Sequence, residues 1–222
     1  MYMRLFNPDG PVMRLFSAVS DLLLLNFCFM ICCVPIFTIG ASMSALYAVT
    51  LDKTNEASVI SRFFSAFRRN FKQATLAWLL VLAVVIILAV EFYLLSIVEV
   101  PFGFLIMVAL LIVSFLVIGT TLYLFPLIGH FENTLKNTIK NAALLGVSMF
   151  PRTMLMIFIW CFPFWMFLID TELFVRSMLP WMLVGFAVTA KLNSGILRKI
   201  FMKIAPEEES KNTDEIPPEI ID

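Results

Sequence analysis

Charged side chains are scarce in this chain, and one stretch of thirty residues, 22–51, contains no Asp, Glu, Lys or Arg. Only 14% of the 222 residues are charged and 61% are hydrophobic, against about 25% charged and about 45–50% apolar in a soluble domain. A soluble fold of this length would have to bury 23 Phe and 13 Met. The composition therefore excludes an ordinary soluble domain and predicts an integral membrane protein.

Residues that enzymes and metal sites use are also few. His130 is the only histidine, and the four cysteines form no CxxC pair, so the spacing typical of a zinc site is absent. The sequence has no nucleophile elbow, phosphate loop or HExxH motif. We therefore predict that the protein is not an enzyme and has no cofactor-binding or metal site. The cysteines, interpreted as packing residues, are Cys28, Cys32, Cys33 and Cys161.

The apolar runs have the length of membrane-spanning helices. A bilayer core about 30 Å thick needs roughly 20 apolar residues in a helix. Besides 22–51, such runs cover 73–95, 100–131, 153–169 and 174–197. They are continuously apolar rather than alternating, which favours helices over barrel strands. The prediction is an all-α polytopic bundle of about five to six membrane segments.

The charges divide the chain into one membrane domain, 1–205, and an acidic tail, 206–222. The tail has seven acidic residues and three prolines, too polar a composition to form a core, so we expect it to be disordered in the cytoplasm. Over the whole chain, sixteen basic residues balance sixteen acidic ones. That balance predicts no nucleic-acid partner.

Residues 22–51 could form a cleaved signal peptide, one long span or a helical hairpin. Cleavage fits poorly, because Asp21 and Asn26 interrupt the apolar region and further spans follow. A single helix of thirty residues would be about 45 Å long, more than one crossing needs. Pro35 and Gly40 disfavour a continuous helix. We therefore predict two short legs, about 17–34 and 39–52, the second one either spanning or re-entrant.

The positions of the basic residues distinguish these topologies. With a hairpin, fifteen Lys and Arg lie on one side of the membrane and only Arg176 lies on the other. A single crossing would give thirteen against three, which fits the positive-inside rule less well. We therefore predict an N-terminal helical hairpin with both termini in the cytoplasm.

Two cytoplasmic segments have amphipathic patterns. In residues 56–73, apolar side chains recur at helical spacing on one face and basic side chains fill the remainder. This pattern is typical of a helix in the membrane interface, and packing of its Phe face on the protein's own helices fits equally well. A second amphipathic helix is predicted over 133–147. The candidate lipid- or partner-contacting residues are Arg62, Arg68, Arg69 and Lys72.

Shifting the chain by 79 residues suggests an internal duplication. The shift pairs Gly40 with Gly119 and Phe71 with Phe150, and it aligns the span near 73 with the one near 152. Repeats are common in transport proteins, but here the matched positions are few. Duplication is therefore one of two open interpretations.

Three polar residues within the apolar segments are candidates for function, because ionisable groups at membrane depth are expensive. Asn26 is expected to lie deepest. Asp21 is expected near the cytoplasmic end of its span and Glu91 near the outer end of its own. Charges at span ends cost much less than central ones. We therefore favour the interpretation that both carboxylates simply reach the interface.

Four stretches resemble the YesL-like family, a family of bacterial integral membrane proteins that is also a domain-of-unknown-function family. They are LFNPDGPVMRLFSAVSDLLLLN at 5–26, CCVPIFTIGASMSALYAVTL at 32–51, FFSAFRRNFKQAT at 63–75 and AKLNSGILRKIF at 190–201. The resemblance is dense over the first 80 residues and loose thereafter. It implies a multi-pass protein of the bacterial plasma membrane, linked to carbohydrate uptake because relatives are often encoded beside sugar transporters.

Two functions from different classes follow from these expectations. The first is a non-enzymatic accessory component that contacts the lipid bilayer and membrane transporter or sensor subunits through its basic surfaces. The second is a sugar carrier in its own right, with the broken helix at 35–40 lining a substrate path. Stoichiometric partner subunits would favour the first, and solute flux by the purified protein would favour the second.

Overall fold

The computed structural model describes residues 11–52, 57–98 and 100–204 of the chain. Every regular element within these ranges is helical, which confirms the predicted all-α polytopic bundle. The predicted acidic tail, 206–222, lies outside the described residues, as do Met1–Gly10.

The N-terminal stretch folds as two helices, with a break at the predicted proline and glycine. Helix α1, Pro11–Cys33, ends two residues before Pro35. A short 3-10 turn, Ile36–Thr38, then leads into helix α2, Ile39–Leu51. The part of α1 from Phe16 to Cys33 is long and apolar enough to cross a membrane, whereas α2 is shorter.

The break is held by one threonine. Thr38 Oγ1 donates to the carbonyl oxygens of Cys32 at 2.5 Å and Pro35 at 2.7 Å. Proline cannot donate a backbone hydrogen bond and disfavours helix at the residue before it. The Thr38 hydroxyl therefore provides a partner for the Cys32 carbonyl, which the interrupted helix leaves exposed, while the Pro35 carbonyl also accepts from the Thr38 N–H at 3.0 Å.

Helix α3, Val59–Ile97, is a single helix of 39 residues. Ser58 caps its first turn by accepting from the Ser61 backbone N–H at 3.3 Å. At 1.5 Å per residue α3 is about 58 Å long, roughly twice the thickness of a bilayer core. The predicted amphipathic segment 56–73 is therefore mostly the first part of this helix rather than a separate interfacial helix.

Helix α4, Gly103–His130, returns antiparallel to α3 and is followed by α5, Leu135–Ser148. Phe102, at φ 63°, is the one non-glycine residue with positive φ among the described residues. Its left-handed conformation lets the chain reverse direction between α3 and α4. Helix α5 is the second predicted amphipathic segment, and it packs along α4.

The fourth predicted span, 153–169, is wrong as one continuous helix. It is divided into α6, Phe150–Trp160, and α7, Phe162–Ile169. Pro163 is the second residue of α7, a position where the missing N–H is tolerated but where a continuing helix would lose a hydrogen bond. Helix α6 is also bent by 97° from α5.

The last apolar stretch is longer than predicted and is interrupted. Helix α8, Thr171–Pro180, passes through a π-helical segment, Trp181–Gly185, into α9, Phe186–Ile204. Four stretches of helix in the described residues are long and apolar enough to cross a membrane, and the bent pair α5 and α6 would be a fifth.

The order of contacts shows how α2 lies in the bundle. Its N-terminal end approaches Trp78 of α3 and its C-terminal end approaches Arg62, so α2 runs antiparallel to α3. Gly40 lies beside Phe125, and Ser44 lies beside Gly129. Helices α2 and α4 therefore run in the same direction.

Two close contacts occupy equivalent positions of the suggested repeat. Gly40 of α2 lies against Ala74 of α3, and Gly119 of α4 lies against Thr153 of α6. Gly40 and Gly119 are 79 positions apart in the sequence, and so are Ala74 and Thr153. The helices differ, however, because α3 is continuous where α5 and α6 are bent. The shared contact favours the duplication interpretation.

Candidate functional site around helix α2

Helix α2 lies at the centre of the bundle, in contact with α1, α3, α4 and α9. Ten of its 13 residues are buried. Small side chains make this possible, because glycine, alanine and serine let the backbones of neighbouring membrane helices approach closely. Ala41, Ala45 and Ser42 are completely buried in this way.

Two glycines set the closest approaches. A Cβ on Gly40 would lie 2.5 Å from Trp78 Cβ and would also overlap the Ala74 carbonyl oxygen. A Cβ on Gly129 of α4 would lie 2.5 Å from the Ser44 carbonyl oxygen. Both contacts are shorter than side-chain carbons tolerate, so these positions require glycine for the packing of α2.

Polar side chains of α2 are paired with side chains of the surrounding helices. A buried polar group without a partner is costly, so each pair also fixes the register of two helices. The pairs are Asn70 Nδ2 donating to Ser44 Oγ at 3.2 Å, Trp160 Nε1 donating to the Tyr47 hydroxyl at 3.2 Å, and the Thr50 and Ser194 hydroxyls 2.7 Å apart.

Asn193 of α9 differs from the paired polar side chains around α2. Its side chain is completely buried, and neither Nδ2 nor Oδ1 has a hydrogen-bond partner among the described residues. A buried amide offers two donors and an acceptor. The amide has no well-formed hydrogen bond within the described residues, and the Tyr47 hydroxyl of α2 is its polar neighbour.

Asn26, predicted to lie deepest, is buried and connects α1 to the interrupted last span. Its Nδ2 donates to the Met182 carbonyl oxygen at 2.6 Å, and its Oδ1 accepts from the Ala187 N–H at 3.0 Å. Those two backbone groups are five residues apart, which is the pairing of a π-helix. The side-chain amide therefore bridges the π segment as a peptide group would.

Gly185 contributes to the same junction. A Cβ at this position would lie 2.5 Å from Trp181 Cδ2. Pro180, the residue before the π segment, has no N–H to donate. Asn26, Pro180 and Gly185 together account for the interruption of this span.

The two predicted carboxylates are not brought to Asn26 or to each other. Asp21 on α1 and Glu91 on α3 are both exposed, and neither makes a hydrogen bond or ion pair within the described ranges. Glu91 lies six residues before the end of α3, which is about 9 Å along the helix axis. That Glu91 extends from there to the interface stays a prediction.

The four predicted basic residues divide into two kinds. Arg62 is half-buried; it pairs with Asp52 at 2.9 Å and donates to the Val49 carbonyl oxygen at 3.2 Å. Arg69 donates to the Gly129 carbonyl oxygen at 3.4 Å. Both therefore bind carbonyl groups near the C-terminal end of a neighbouring helix, where the helix dipole favours positive charge.

Arg68 and Lys72 remain exposed, and neither forms a hydrogen bond or ion pair within 11–52, 57–98 and 100–204. They lie four residues apart, on the same side of α3. Of the four predicted contact residues, these two are exposed without such a contact, whereas Arg69 is exposed but donates to Gly129.

Sequence reasoning missed Arg198, which has a structural role as clear as that of Arg62. Its guanidinium donates to the carbonyl oxygens of Thr50 at 2.8 Å and Leu51 at 3.2 Å. It therefore caps the C-terminal end of α2 from α9. A basic residue late in an amphipathic helix gives no sequence signal of such a distant partner.

The reactive side chains do not converge. No group of three or more His, Cys, Asp or Glu that could hold a metal ion occurs in the part of the chain that the structure describes. Cys28 is buried in the core and the other three cysteines are half-buried free thiols. The site around α2 can therefore orient helices and hold polar groups in an apolar interior, and the described residues form no acid–base or nucleophilic arrangement there.

Comparison with known proteins adds a family for the same region. Residues 22–92 match the profile of a family described as "Protein of unknown function, DUF624". The matched range includes most of α1, all of α2 and most of α3, and so contains much of the site described above. No curated protein and no solved structure matches the chain.

Proposed function

We propose that this chain is a non-enzymatic accessory component of a bacterial plasma membrane that assists carbohydrate uptake. The observation that carries the non-enzymatic part is the use of polar groups in the core. Hydrogen bonds between helices already engage the side chains of Ser44, Thr50 and Asn26. The carbohydrate part is supported by the resemblance of residues 5–26 and 32–51 to the YesL-like family.

The proposed topology has both termini in the cytoplasm, with α1 and α2 as a hairpin. Its support is the placement of the basic residues. The C-terminal ends of α2 and α4 point the same way, and arginines from α3 and α9 bind both ends. Positive-inside bias assigns that end to the cytoplasm.

The proposed contact surface is the exposed pair Arg68 and Lys72. At the cytoplasmic end of α3, these charges would meet anionic lipid headgroups or an acidic surface of a transporter or sensor subunit. Arg62 and Arg69 are less suited to this role, because both already bind backbone carbonyls within the bundle.

A carrier function is the second candidate, and two observations favour it. Interrupted helices are typical of transporter sites, and here the chain has two such interruptions, the α1–α2 break and the π segment Trp181–Gly185. The Asn193 amide is also buried in the core without a well-formed hydrogen bond, beside the Tyr47 hydroxyl. A substrate path through α2 would, however, require the paired helices to separate.

Affinity purification of the full chain from its native membranes in mild detergent tests the proposal directly. The accessory function predicts stoichiometric membrane subunits in the eluate, and no flux of labelled oligosaccharide when the chain alone is reconstituted in liposomes. Flux by the chain alone would support the carrier instead. Normal uptake by a deletion strain on every member of a polysaccharide panel would contradict the carbohydrate link.

Charge reversal tests the contact surface. Arg68→Glu with Lys72→Glu should lower oligosaccharide uptake in the complemented strain and remove the co-purifying subunits, while the chain still accumulates in the membrane. Arg176→Glu is the matched control, because Arg176 is 73% exposed and lies on the opposite side in the proposed topology. Unchanged uptake with the double variant would contradict this surface.

A further inference from the structure

A cavity of about 320 Å³ lies where the end of α4 meets α5 and the end of α9. That volume is at the lower end of the range for small-molecule pockets, roughly 300–1,000 Å³. Neither the polar pairs around α2 nor the exposed pair Arg68 and Lys72 belongs to its lining. The cavity is thus a separate feature of the bundle.

The lining is divided into an apolar floor and a polar mouth. Leu127 and Phe201 are buried and Leu145 is half-buried, whereas Glu132 and Asn141 are exposed. An apolar floor with a few polar groups at one end is the usual composition of a site for an amphipathic molecule.

The cavity lies at the boundary between apolar and polar sequence. Helix α4 is uncharged from Gly103 to its last residue, and Glu132 follows two residues after it ends. Leu144 and Ile204, which also line the cavity, are 59% and 53% exposed. For a membrane-embedded α4, this position corresponds to the interface, and the exposed apolar rim makes the cavity accessible to a lipid chain.

The charges of the lining define the headgroup it can accept. Glu132 is the one carboxylate among the lining residues, which include no Lys or Arg. Asn133 Oδ1 already accepts from the Thr134 N–H at 2.8 Å and from Asn137 Nδ2 at 3.4 Å, and Thr138 is buried, so Glu132 and Asn141 are the exposed side-chain acceptors that a ligand can use. A carboxylate accepts strong hydrogen bonds from ammonium or hydroxyl groups and repels a phosphate that offers no donor.

We propose that this cavity binds an amphiphile with a headgroup rich in hydrogen-bond donors. Its alkyl chain packs on Leu127, Leu145 and Phe201. Its ammonium or hydroxyl groups donate to Glu132 and Asn141 at the mouth. An aminolipid and a glycolipid both carry this chemistry, and the same experiment separates them.

The test is native mass spectrometry of the purified full chain with three lipids of identical acyl chains. These are phosphatidylethanolamine, a diglucosyl diacylglycerol and phosphatidylcholine, whose quaternary ammonium offers no hydrogen-bond donor. At least one of the first two should bind about tenfold more tightly than phosphatidylcholine, the difference expected for one charge-assisted hydrogen bond. A response confined to phosphatidylethanolamine identifies an aminolipid, and one confined to the diglucosyl lipid identifies a glycolipid.

Glu132→Gln should remove most of that preference, and Leu145→Trp, which fills the floor, should abolish retention of the preferred lipid. Glu172→Gln, a change at a carboxylate that is 73% exposed and outside the lining, is the control and should bind as the unaltered protein does. Equal binding of all three lipids, or an unchanged preference in Glu132→Gln, would overturn the proposal. If Leu145→Trp does not fold, the comparison of Glu132→Gln with Glu172→Gln tests the proposal.

Discussion

The two halves of α3 have nearly equal length and opposite surroundings. In residues 59–78 the helix buries Phe63, Ala66, Asn70, Ala74 and Ala77 against its neighbours. In residues 79–97 it buries none, and most of its large aliphatic side chains are exposed. Helix α4 repeats the contrast, because its buried residues all lie in the half that adjoins α2.

The comparison separates two ways of stabilising a helix in a membrane protein. The inner half of α3, residues 59–78, has small and polar residues that let a neighbouring backbone approach. The outer half, residues 79–97, has interchangeable aliphatic residues. The outer half is about 28 Å long, close to the thickness of a bilayer core. Contacts with other helices therefore stabilise the inner half of α3, and solvation by lipid is sufficient to stabilise the outer half.

Truncation of a large side chain should give the largest difference between the two regions. Leu46 of α2 is completely buried, and Leu46→Ala should destabilise the protein by about 3 kcal/mol through loss of packing. Leu94→Ala in the outer half of α3 should change stability by less than about 0.5 kcal/mol, because Leu94 is 45% exposed. Unfolding by sodium dodecyl sulfate titration in mixed micelles measures both, and equal losses would contradict the division.

Glycine replacement should give the next largest effect. Gly40→Ala should cost about 2 kcal/mol, since the added Cβ overlaps Ala74 and Trp78. Gly195→Ala in α9 is the matched control, with nothing within 4 Å of the added carbon, and it should stabilise the helix by about 0.5–1 kcal/mol. The same titration gives both values, and a neutral Gly40→Ala would mean that α2 packs less closely than described.

The bridge across the π segment should contribute about 1–2 kcal/mol. Asn26→Leu keeps the side-chain volume but leaves the Met182 carbonyl and the Ala187 N–H without their partner. Asp21→Asn, on the same helix but exposed, should be nearly neutral. Hydrogen exchange at Ala187 should accelerate in Asn26→Leu, and unchanged protection would show that the amide is not held by this bridge.

The smallest effect is expected at the cap of α2. Arg198→Met removes two hydrogen bonds to the end of that helix and should cost about 1 kcal/mol. Lys199→Met, at the exposed neighbouring position, should stay within about 0.5 kcal/mol of the unaltered protein. If both variants have the same midpoint of unfolding, Arg198 does not stabilise α2.

Local chemistry was enough to predict part of this structure. Pro35 and Gly40 mark the break between α1 and α2, and Asn26 was identified as a candidate polar residue that the structure buries, because both signals are contained in a few adjacent residues. The predicted helical fold also follows from the long apolar runs.

The remaining features depend on contacts between residues far apart in the sequence. Thr50 and Ser194 are 144 residues apart, and no periodicity in either segment indicates the other. The break at Cys161 does have a local signal in Pro163, which the continuous apolar run around it concealed. The role of Asn26 likewise required the π segment, which its own neighbours do not encode.

Spin labels along α3 test the division of the helix most directly. Single cysteines at Ser61 and Ser65 in the inner half, and at Ile87 and Val90 in the outer half, are all exposed. They are introduced after Cys28, Cys32, Cys33 and Cys161 have been replaced by alanine, and the protein is reconstituted in bilayers. Labels at 87 and 90 should collide frequently with oxygen and rarely with a water-soluble nickel complex, and labels at 61 and 65 should have a much lower ratio of oxygen to nickel collisions. Equal access of nickel to all four labels would contradict the lipid-embedded outer half.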